Sequence, residues 1–404
     1  MSIDKILKEL EKCEYKVSTD TRKDISGSIY FALKGETHDG NHFVKDALEK
    51  GAVVAVTDKK ENAGENVYVV EDSLKTLQEV ARKYREQFNI PIIAIGGSNG
   101  KTTSKDLVRD VLKTKYKVFA TAGNLNNEIG VPLSILSIKK DCEIAIIEVG
   151  ANRRGDHKFL LDMVRPTHVA VTNNGMDHLE GFGSPEGVRM ANKEIYDWAL
   201  QHSATAFVNK KHPDLVLDSE GVSRVLYPEK ELEYKTKLAG DYNRENIELA
   251  LAVGNSMDVK TEDALRAIAS YEPSGNRSQV ITKNGINFVV DCYNANPSSM
   301  KASLESFLKD SKNHKGVVLG DMLELGKYSL EEHKKVVKYL SEQKLDFLVF
   351  VGEEFKKALV GESLKHLWFP DSEKAKDWFR GEKFDGFTFL LKGSRGMKIE
   401  KILE

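Results

Sequence analysis

Eight consecutive residues, Gly96-Gly97-Ser98-Asn99-Gly100-Lys101-Thr102-Thr103, have the types that grip a polyphosphate. Glycines let successive backbone N–H groups converge on phosphate oxygens, and the helical pattern that begins near Ser104 adds the positive potential of a helix N-terminus. Lys101 is placed to reach the β- and γ-oxygens of a nucleoside triphosphate, and the Thr102 hydroxyl to ligate magnesium. The run follows Ile90-Pro91-Ile92-Ile93-Ala94-Ile95, a continuous apolar stretch that reads as a buried parallel strand. Strict phosphate-loop spacing would put a glycine where this chain has Ile95. A plain glycine-rich turn is the bland reading. It leaves Gly-Lys-Thr-Thr without a purpose, so Gly97, Ser98, Asn99, Gly100, Lys101, Thr102 and Thr103 are expected to hold ATP.

Two more polar residues fall where central strands should end, the edge of an open α/β sheet at which ligands bind. Glu148 closes Ile144-Ala145-Ile146-Ile147, and His178 lies within the polar stretch from Thr172 to Gly183. A carboxylate is the ordinary ligand of a hard cation. Histidine is less usual for magnesium and, on spacing alone, is more often a hydrogen-bonding residue of surface or core.

These groups need a scaffold, and the hydrophobic pattern supplies one. From Ile3 to about Arg85 it reads as a short helix, strands near 28–33 and 52–57 with a helix near 44–50 between them, and helical spacing again over 74–88. Apolar strands follow at 143–149, 168–172 and 205–209, separated by helix-compatible stretches, as in a doubly wound sheet. Helical patterns over 243–255 and 262–271 lead into Glu272-Pro273-Ser274-Gly275-Asn276, rich in turn formers and expected to be a linker. Strands at 288–291, 316–320, 347–351 and 387–391 then alternate with amphipathic stretches such as 329–344. The expected fold is α/β in three domains: a small α/β domain over 1–87, a central phosphate-loop domain with a parallel sheet over 88–272, and a Rossmann-like domain over 273–404. No internal repeat is evident.

Bulk composition agrees with several domains. A chain of 404 residues with 40% apolar and 30% charged side chains has ample core and little low-complexity sequence. A formal charge of −2 gives no bulk reason to expect a nucleic-acid partner. Cys13, Cys142 and Cys292 are far apart and form no CxxC pair, so reduced thiols are expected rather than disulfides or a zinc site. No apolar run approaches the roughly 20 residues needed to cross a bilayer. A cytoplasmic protein with neither export nor membrane insertion is the expectation.

Gly97-Ser98-Asn99-Gly100-Lys101-Thr102-Thr103 resembles the variant phosphate loop of the Mur ligases, which lacks the usual first glycine and so accounts for Ile95. Asn124 to Pro132, Glu148-Val149-Gly150-Ala151-Asn152 and His178 to Ser184 resemble the central domain of the branch of that family that adds D-alanyl-D-alanine. Asp291 to Pro297, Leu319 to Gly326 and Lys392 to Met397 are similar to its third domain, and Asp20-Thr21-Arg22, Phe31 to Gly35 and Asp39-Gly40 to its first. The resemblance implies a first domain that holds a UDP-N-acetylmuramoyl-tripeptide, a second that binds ATP and magnesium, and a third that presents the incoming amine. It also implies residue roles. Lys101, Glu148 and His178 would be catalytic, with Thr102, Glu148 and His178 around magnesium. Asn246 would contact adenine, Arg277 a phosphate and Asp291 the ribose. Substrate contacts would come from Thr21, Arg22, Lys34 and Gly35, from Asn126 and Asn127, and from Asn294 and Asn296. Singly, Asn246 could cap a helix, Asp291 end a strand, Arg277 be a surface charge, and Asn294 and Asn296 shape a turn.

The chain departs from the family pattern at Asn192, where a lysine carbamylated by carbon dioxide usually bridges to a second magnesium. Either the Asn192 amide oxygen ligates, or Lys193 or Glu194 substitutes, or the second metal is held more weakly. Tyr242 stands where a histidine often precedes Asn243 and would alter adenine packing. The implied chemistry is phosphorylation of a peptide carboxylate by ATP, then attack by the amine of D-alanyl-D-alanine, carried out by a monomer. The competing expectations are a related Mur or folylpolyglutamate-type ligase with another acceptor, and a nucleotide-binding partner protein that has lost ligation.

Overall fold

Strands β1 (Val17–Ser18), β2 (Ile29–Phe31), β3 (Val54–Thr57) and β4 (Val67–Val69) form a parallel sheet in that order. A second sheet contains β5 (Ile92–Gly96), β6 (Val118–Ala120), β7 (Ile144–Glu148), β8 (His168–Val171), β9 (Thr205–Asn209) and β10 (Ser223–Tyr227), ordered β10-β9-β8-β5-β7-β6. The third contains β11 (Gln279–Lys283), β12 (Ile286–Val290), β13 (Lys315–Gly320), β14 (Phe347–Val351), β15 (Leu367–Phe369) and β16 (Thr388–Lys392), ordered β11-β12-β16-β13-β14-β15. Apart from the antiparallel β11–β12 pair, the pairings of this sheet are parallel. This computed structural model describes residues 3–35, 38–309 and 314–404. The chain divides into two compact units, Met1–Ile95, Tyr116–Gly150 and His157–Val169 in one, and Gly96–Lys115, Ala151–Asp156 and Ala170–Glu404 in the other.

In the first unit, β5 and β7 are buried along their whole length, as parallel strands covered on both faces must be. Their register sets Ile95 beside Glu148, so that carboxylate stands level with the residue that enters the phosphate loop. The helix Ser73–Arg85 starts at Asp72, whose carboxylate accepts from Lys75 N at 2.8 Å. Near its end, Arg85 is buried and donates to the carbonyls of Val164, Phe88 and Arg165 at 2.7, 2.8 and 2.8 Å. Those carbonyls offset the desolvation that lowers its pKa.

In the second unit, the helix Lys101–Leu112 packs on Asn243–Ser256 so closely that a Cβ on Gly254 would lie 2.6 Å from Val111 Cγ1. The third sheet shows a clean two-residue alternation. Val317 and Leu319, Leu348 and Phe350, and Leu390 face one cluster; Val318, Val349 and Val351, and Phe389 and Leu391 face the other. Asn284 and Gly285, both at positive φ (50° and 75°), make the two-residue turn that pairs Lys283 with Ile286. Leu179 and Val188, which precede β9, belong to the first of these clusters, so the third sheet shares a core with the segment that carries His178.

Candidate active site

The phosphate loop is shaped by close backbone approach. Gly97 has φ +112°, and a Cβ there would lie 2.7 Å from Thr172 N and 2.4 Å from its Oγ1. Gly100, at φ +83°, precedes the helix Lys101–Leu112, and its Cβ would lie 2.3 Å from Asn246 Oδ1. Only glycine fits either place. The loop is pinned by Asn173: Ser98 N donates to Asn173 O (3.0 Å), Asn99 N to Asn173 Oδ1 (3.1 Å), and Asn173 Nδ2 to Asn99 O (3.1 Å). Lys101 Nζ folds back onto the loop carbonyls, 2.5 Å from Gly97 O and 3.1 Å from Ser98 O. Thr102 and Thr103 are the second and third residues of the helix, where backbone N–H groups point at a bound anion.

Asn192 is buried beside this loop. Its Nδ2 donates to Asn174 Oδ1 at 2.9 Å, with Ser98 Oγ at 3.4 Å. Lys193 instead pairs with Asp197 on its own helix, and Glu194 accepts from Gly155 N at 2.7 Å. From the start of the helix Pro297–Lys309, Asn296 reaches the loop as well: its Nδ2 donates to Asn99 Oδ1 (2.8 Å) while its Oδ1 accepts from Ser299 N (2.9 Å). Asn294 is exposed and accepts from Ala295 N at 2.9 Å. Asn296 is therefore a helix cap and a contact of the phosphate loop at once.

His178 adopts φ +46° and its Nδ1 lies 2.6 Å from Glu324 Oε2. That bond holds the Glu324 carboxyl below its ordinary pKa. Glu148, almost wholly buried, accepts from Asn126 Nδ2 at 2.8 Å, and its backbone N donates to Thr121 Oγ1 at 3.0 Å. Asn127 accepts from Gly130 N (2.8 Å) and Ile129 N (3.2 Å) at the start of the helix Gly130–Leu136. Among the described residues no three His, Cys, Asp or Glu side chains converge as a metal cage.

Asn246 accepts from Ser104 Oγ at 2.9 Å and donates to Asn243 Oδ1 at 2.8 Å, which fixes it against Gly100. The Arg277 guanidinium lies 3.3 Å from the centre of the Tyr293 ring. Asp291 takes the buried Lys392 Nζ on Oδ2 at 2.8 Å and Ser278 N on Oδ1 at 3.2 Å, leaving lone pairs for a hydroxyl. Tyr242 is packed over Gly240, and its hydroxyl meets Ser278 Oγ at 2.9 Å.

In the first unit, Thr21, Arg22, Lys34 and Gly35 occupy two loops that leave the same end of neighbouring parallel strands, β1 and β2. Arg22 makes a two-pronged pair with Asp20 at 2.8 and 2.9 Å and holds that carboxyl well below the usual range. Thr21 O accepts from Lys50 Nζ at 3.0 Å. Lys34 bridges Asp39, and Gly35 N donates to His38 O at 2.8 Å, so Lys34 and Gly35 form the rim of the second loop. Sequence reasoning missed Glu324, Asn173, Asn174 and Lys392 as members of the sites. Glu324 and Lys392 lie in segments that carry the family resemblance, and Asn173 and Asn174 in the polar stretch from Thr172 to Gly183, but only spatial neighbours reveal their partners.

A parallel sheet that ends in this phosphate loop defines a nucleotide-binding α/β protein, and the chain belongs to the Mur ligase family. The description "Mur ligase family, catalytic domain" matches residues 15–94, "Mur ligase middle domain" 95–220, and "Mur ligase, glutamate ligase domain" 276–395. Within the family the chain is similar to the UDP-N-acetylmuramoyl-tripeptide–D-alanyl-D-alanine ligase of Bacillus subtilis, with 32% identity over 96% of this chain and 92% of that one. Its fold is similar to crystal structure I of MurF from Acinetobacter baumannii (TM-score 0.86, 28% identity, 98% and 97% of the two chains covered). It is also similar to MurF ligase from Thermotoga maritima in complex with ADP (TM-score 0.84, 28% identity, 97% and 96% covered). Among the described residues no helix is long and apolar enough to cross a membrane.

Proposed function

We propose that the protein is an ATP-dependent, ADP-forming ligase that joins D-alanyl-D-alanine to a UDP-N-acetylmuramoyl-tripeptide in peptidoglycan precursor synthesis. The observation that carries the reading is the phosphate loop: two obligatory glycines, a lysine folded on the loop carbonyls, and Asn296, at the start of the helix Pro297–Lys309, in hydrogen-bond contact with it. The relatives with that printed activity match nearly the whole chain, which favours this acceptor over a folylpolyglutamate-type one. In the partition we propose, residues 1–87 hold the nucleotide sugar, 88–272 bind ATP and 273–404 present the amine. The enzyme would act as a cytoplasmic monomer.

A carboxylate that attacks ATP is repelled by the triphosphate, so the site's first task is charge neutralisation. Lys101 and the N–H groups of the loop take up charge on the transferring phosphoryl group. The peptide carboxylate oxygen bonds to the γ-phosphorus, and the bond to ADP breaks. The free amine of D-alanyl-D-alanine then attacks the acyl carbon, loses a proton, and phosphate leaves with the electron pair of the cleaved C–O bond. Magnesium, held by the Thr102 hydroxyl, Glu148 and His178, would supply further positive charge to the phosphates. Asn246 and Asp291 would orient adenine and ribose, with Arg277 on a phosphate. Thr21, Arg22, Lys34 and Gly35 would meet the nucleotide sugar. Asn126, Asn127, Asn294 and Asn296 would border the substrates, and Asn126 also holds Glu148.

The test is ADP release by the purified protein, supplied with UDP-muramoyl-tripeptide bearing lysine or a diamino acid, and with D-alanyl-D-alanine or single amino acids as acceptor. Turnover only with the dipeptide is expected. Turnover with a single amino acid instead would replace the acceptor, and ATP binding without amide formation would favour the partner-protein reading. Lys101→Ala should abolish ligation, and retention of wild-type rates would refute the assignment.

A further inference from the structure

We propose that Glu324 is a positioning residue that fixes the imidazole tautomer and direction of His178. The inference rests on the reading that His178 serves the phosphates and magnesium. It names a second residue, in the turn that follows β13, on which that service depends.

The contact is built from both sides. Glu324 follows β13 in the turn Asp321-Met322-Leu323-Glu324, and every backbone N–H before it has an assigned acceptor. Asp321 N donates to Val351 O (3.0 Å), Met322 N to the buried His333 Nε2 (3.0 Å), and Leu323 N to Ser394 Oγ (2.9 Å). Asp321 itself accepts from Glu354 N (3.0 Å) and Phe355 N (2.9 Å). The turn is thereby tied to β14, to two helices and to the end of β16, and it delivers Glu324 at φ +64°. His178 waits at φ +46° in the facing segment. Two non-glycine residues in the left-handed region, meeting each other, are what a contact fixed by its surroundings looks like.

The grip extends beyond one bond. Glu324 Oε2 lies 2.6 Å from His178 Nδ1, and Glu324 O accepts from Glu180 N at 3.0 Å. Tyr328 Oη donates to Gly183 O at 3.2 Å, and Leu179 packs with Met322 and Leu325. The carboxylate has no proton to give, so His178 must donate from Nδ1, and Nε2 is then left with its lone pair for a ligand. A carboxylate behind a ligating histidine both sets the tautomer and raises ligand basicity, and losing it typically costs about 10- to 100-fold in metal affinity or activity. A merely structural contact would leave the magnesium requirement of the reaction unchanged.

The experiment reads the tautomer directly. In protein labelled with 15N-histidine at pH 8 without metal, long-range 1H–15N correlations, assigned by the signals missing from His178→Asn, should show His178 protonated at Nδ1. Glu324→Ala should shift the population toward the Nε2–H form, and Glu324→Gln, whose amide oxygen still accepts, should keep Nδ1–H. In the ligation assay Glu324→Ala should raise the magnesium concentration for half-maximal rate by about 10-fold or more, with KM for ATP at saturating magnesium unchanged. A wild-type tautomer together with a wild-type magnesium requirement in Glu324→Ala would overturn the proposal. If Glu324→Ala does not fold, Glu324→Gln decides by its tautomer, and loss of Nδ1–H there counts against it. If the wild-type protein forms no amide at all, the functional reading fails, while the tautomer comparison still decides the Glu324–His178 relation.

Discussion

One glycine and one asparagine carry the most exposed predictions at the residue scale. Gly97 combines φ +112° with a Cβ position 2.7 Å from the backbone N of Thr172, which cannot move aside as a flexible side chain would. Gly97→Ala should therefore destabilise the protein by about 2 kcal/mol or more and abolish ADP binding, measured by urea midpoint and by titration calorimetry. Wild-type values for both would show that the loop is held less tightly than its geometry states. Asn192 is the second case. An amide nitrogen does not react with carbon dioxide to form a carbamate, and the neighbouring Lys193 is engaged by Asp197. Turnover should be the same in bicarbonate-depleted and bicarbonate-supplemented buffer, and Lys193→Met should not change it; a bicarbonate requirement would contradict both. The candidate phosphate loop stood out because glycine, lysine and threonine at fixed spacing have few other uses. What Asn192 touches was not, since its neighbours Ser98 and Asn174 lie 94 and 18 positions away.

At the scale of elements, strands with continuous apolar runs were the readable ones: β5, β7, β9, β13, β14 and β16 lie where the pattern places them to within a few residues. Short or half-exposed strands escaped. β1, β4, β6, β10, β11 and β15 carry few buried residues, so periodicity had nothing to grip. Asn284-Gly285 could have revealed β11, because an Asn-Gly pair between two short runs is the sequence mark of a tight hairpin. The turn from Asp321 to Glu324 was legible as a motif and opaque as a mechanism. Its central support, His333, is buried with Nδ1 on Ser329 O (2.7 Å) and Nε2 accepting from Met322 N (3.0 Å), which requires a neutral ring. Burial lowers its pKa, against smaller upward pulls from the Ser329 carbonyl and from Asp321. Below about pH 6.5 the unfolded chain takes a proton that the folded imidazole refuses. The stability contributed by the neutral ring is thus full above that pH and is lost as pH falls toward the lowered folded value. Urea midpoints should drop between pH 8 and 5.5 by more in the wild-type protein than in His333→Gln, whose amide oxygen accepts without titrating. Equal drops would remove His333 from the acid response.

At the scale of the whole molecule, the unit from 170 onward joins parts of two sheets through a shared core. Leu179 and Val188 are buried with the apolar residues of β13, β14 and β16. Polar ties reinforce the join: Asn296 to Asn99 and Ser298 Oγ to Met176 N at 2.8 and 3.0 Å, and Ser306 Oγ to Asp241 N at 3.0 Å. Sequence patterning divides this stretch at a turn-rich linker near 272–276, since it senses local breaks in periodicity and cannot sense a core shared across them. Cooperativity distinguishes the two descriptions. The chain has three tryptophans, of which Trp198 lies on the helix Pro185–Gln201 while Trp368 and Trp378 lie on β15 and the helix Ser372–Gly381. A variant that keeps only Trp198, and another that keeps only Trp378, should report the same urea midpoint, because residues that share one core unfold in one transition. Leu179→Ala, which empties part of that core, should cost about 2–4 kcal/mol. It should lower both midpoints together, although the substituted side chain comes from only one side of the linker. Two separated midpoints, or a shift confined to Trp198, would mean that the shared core does not couple the two sheets.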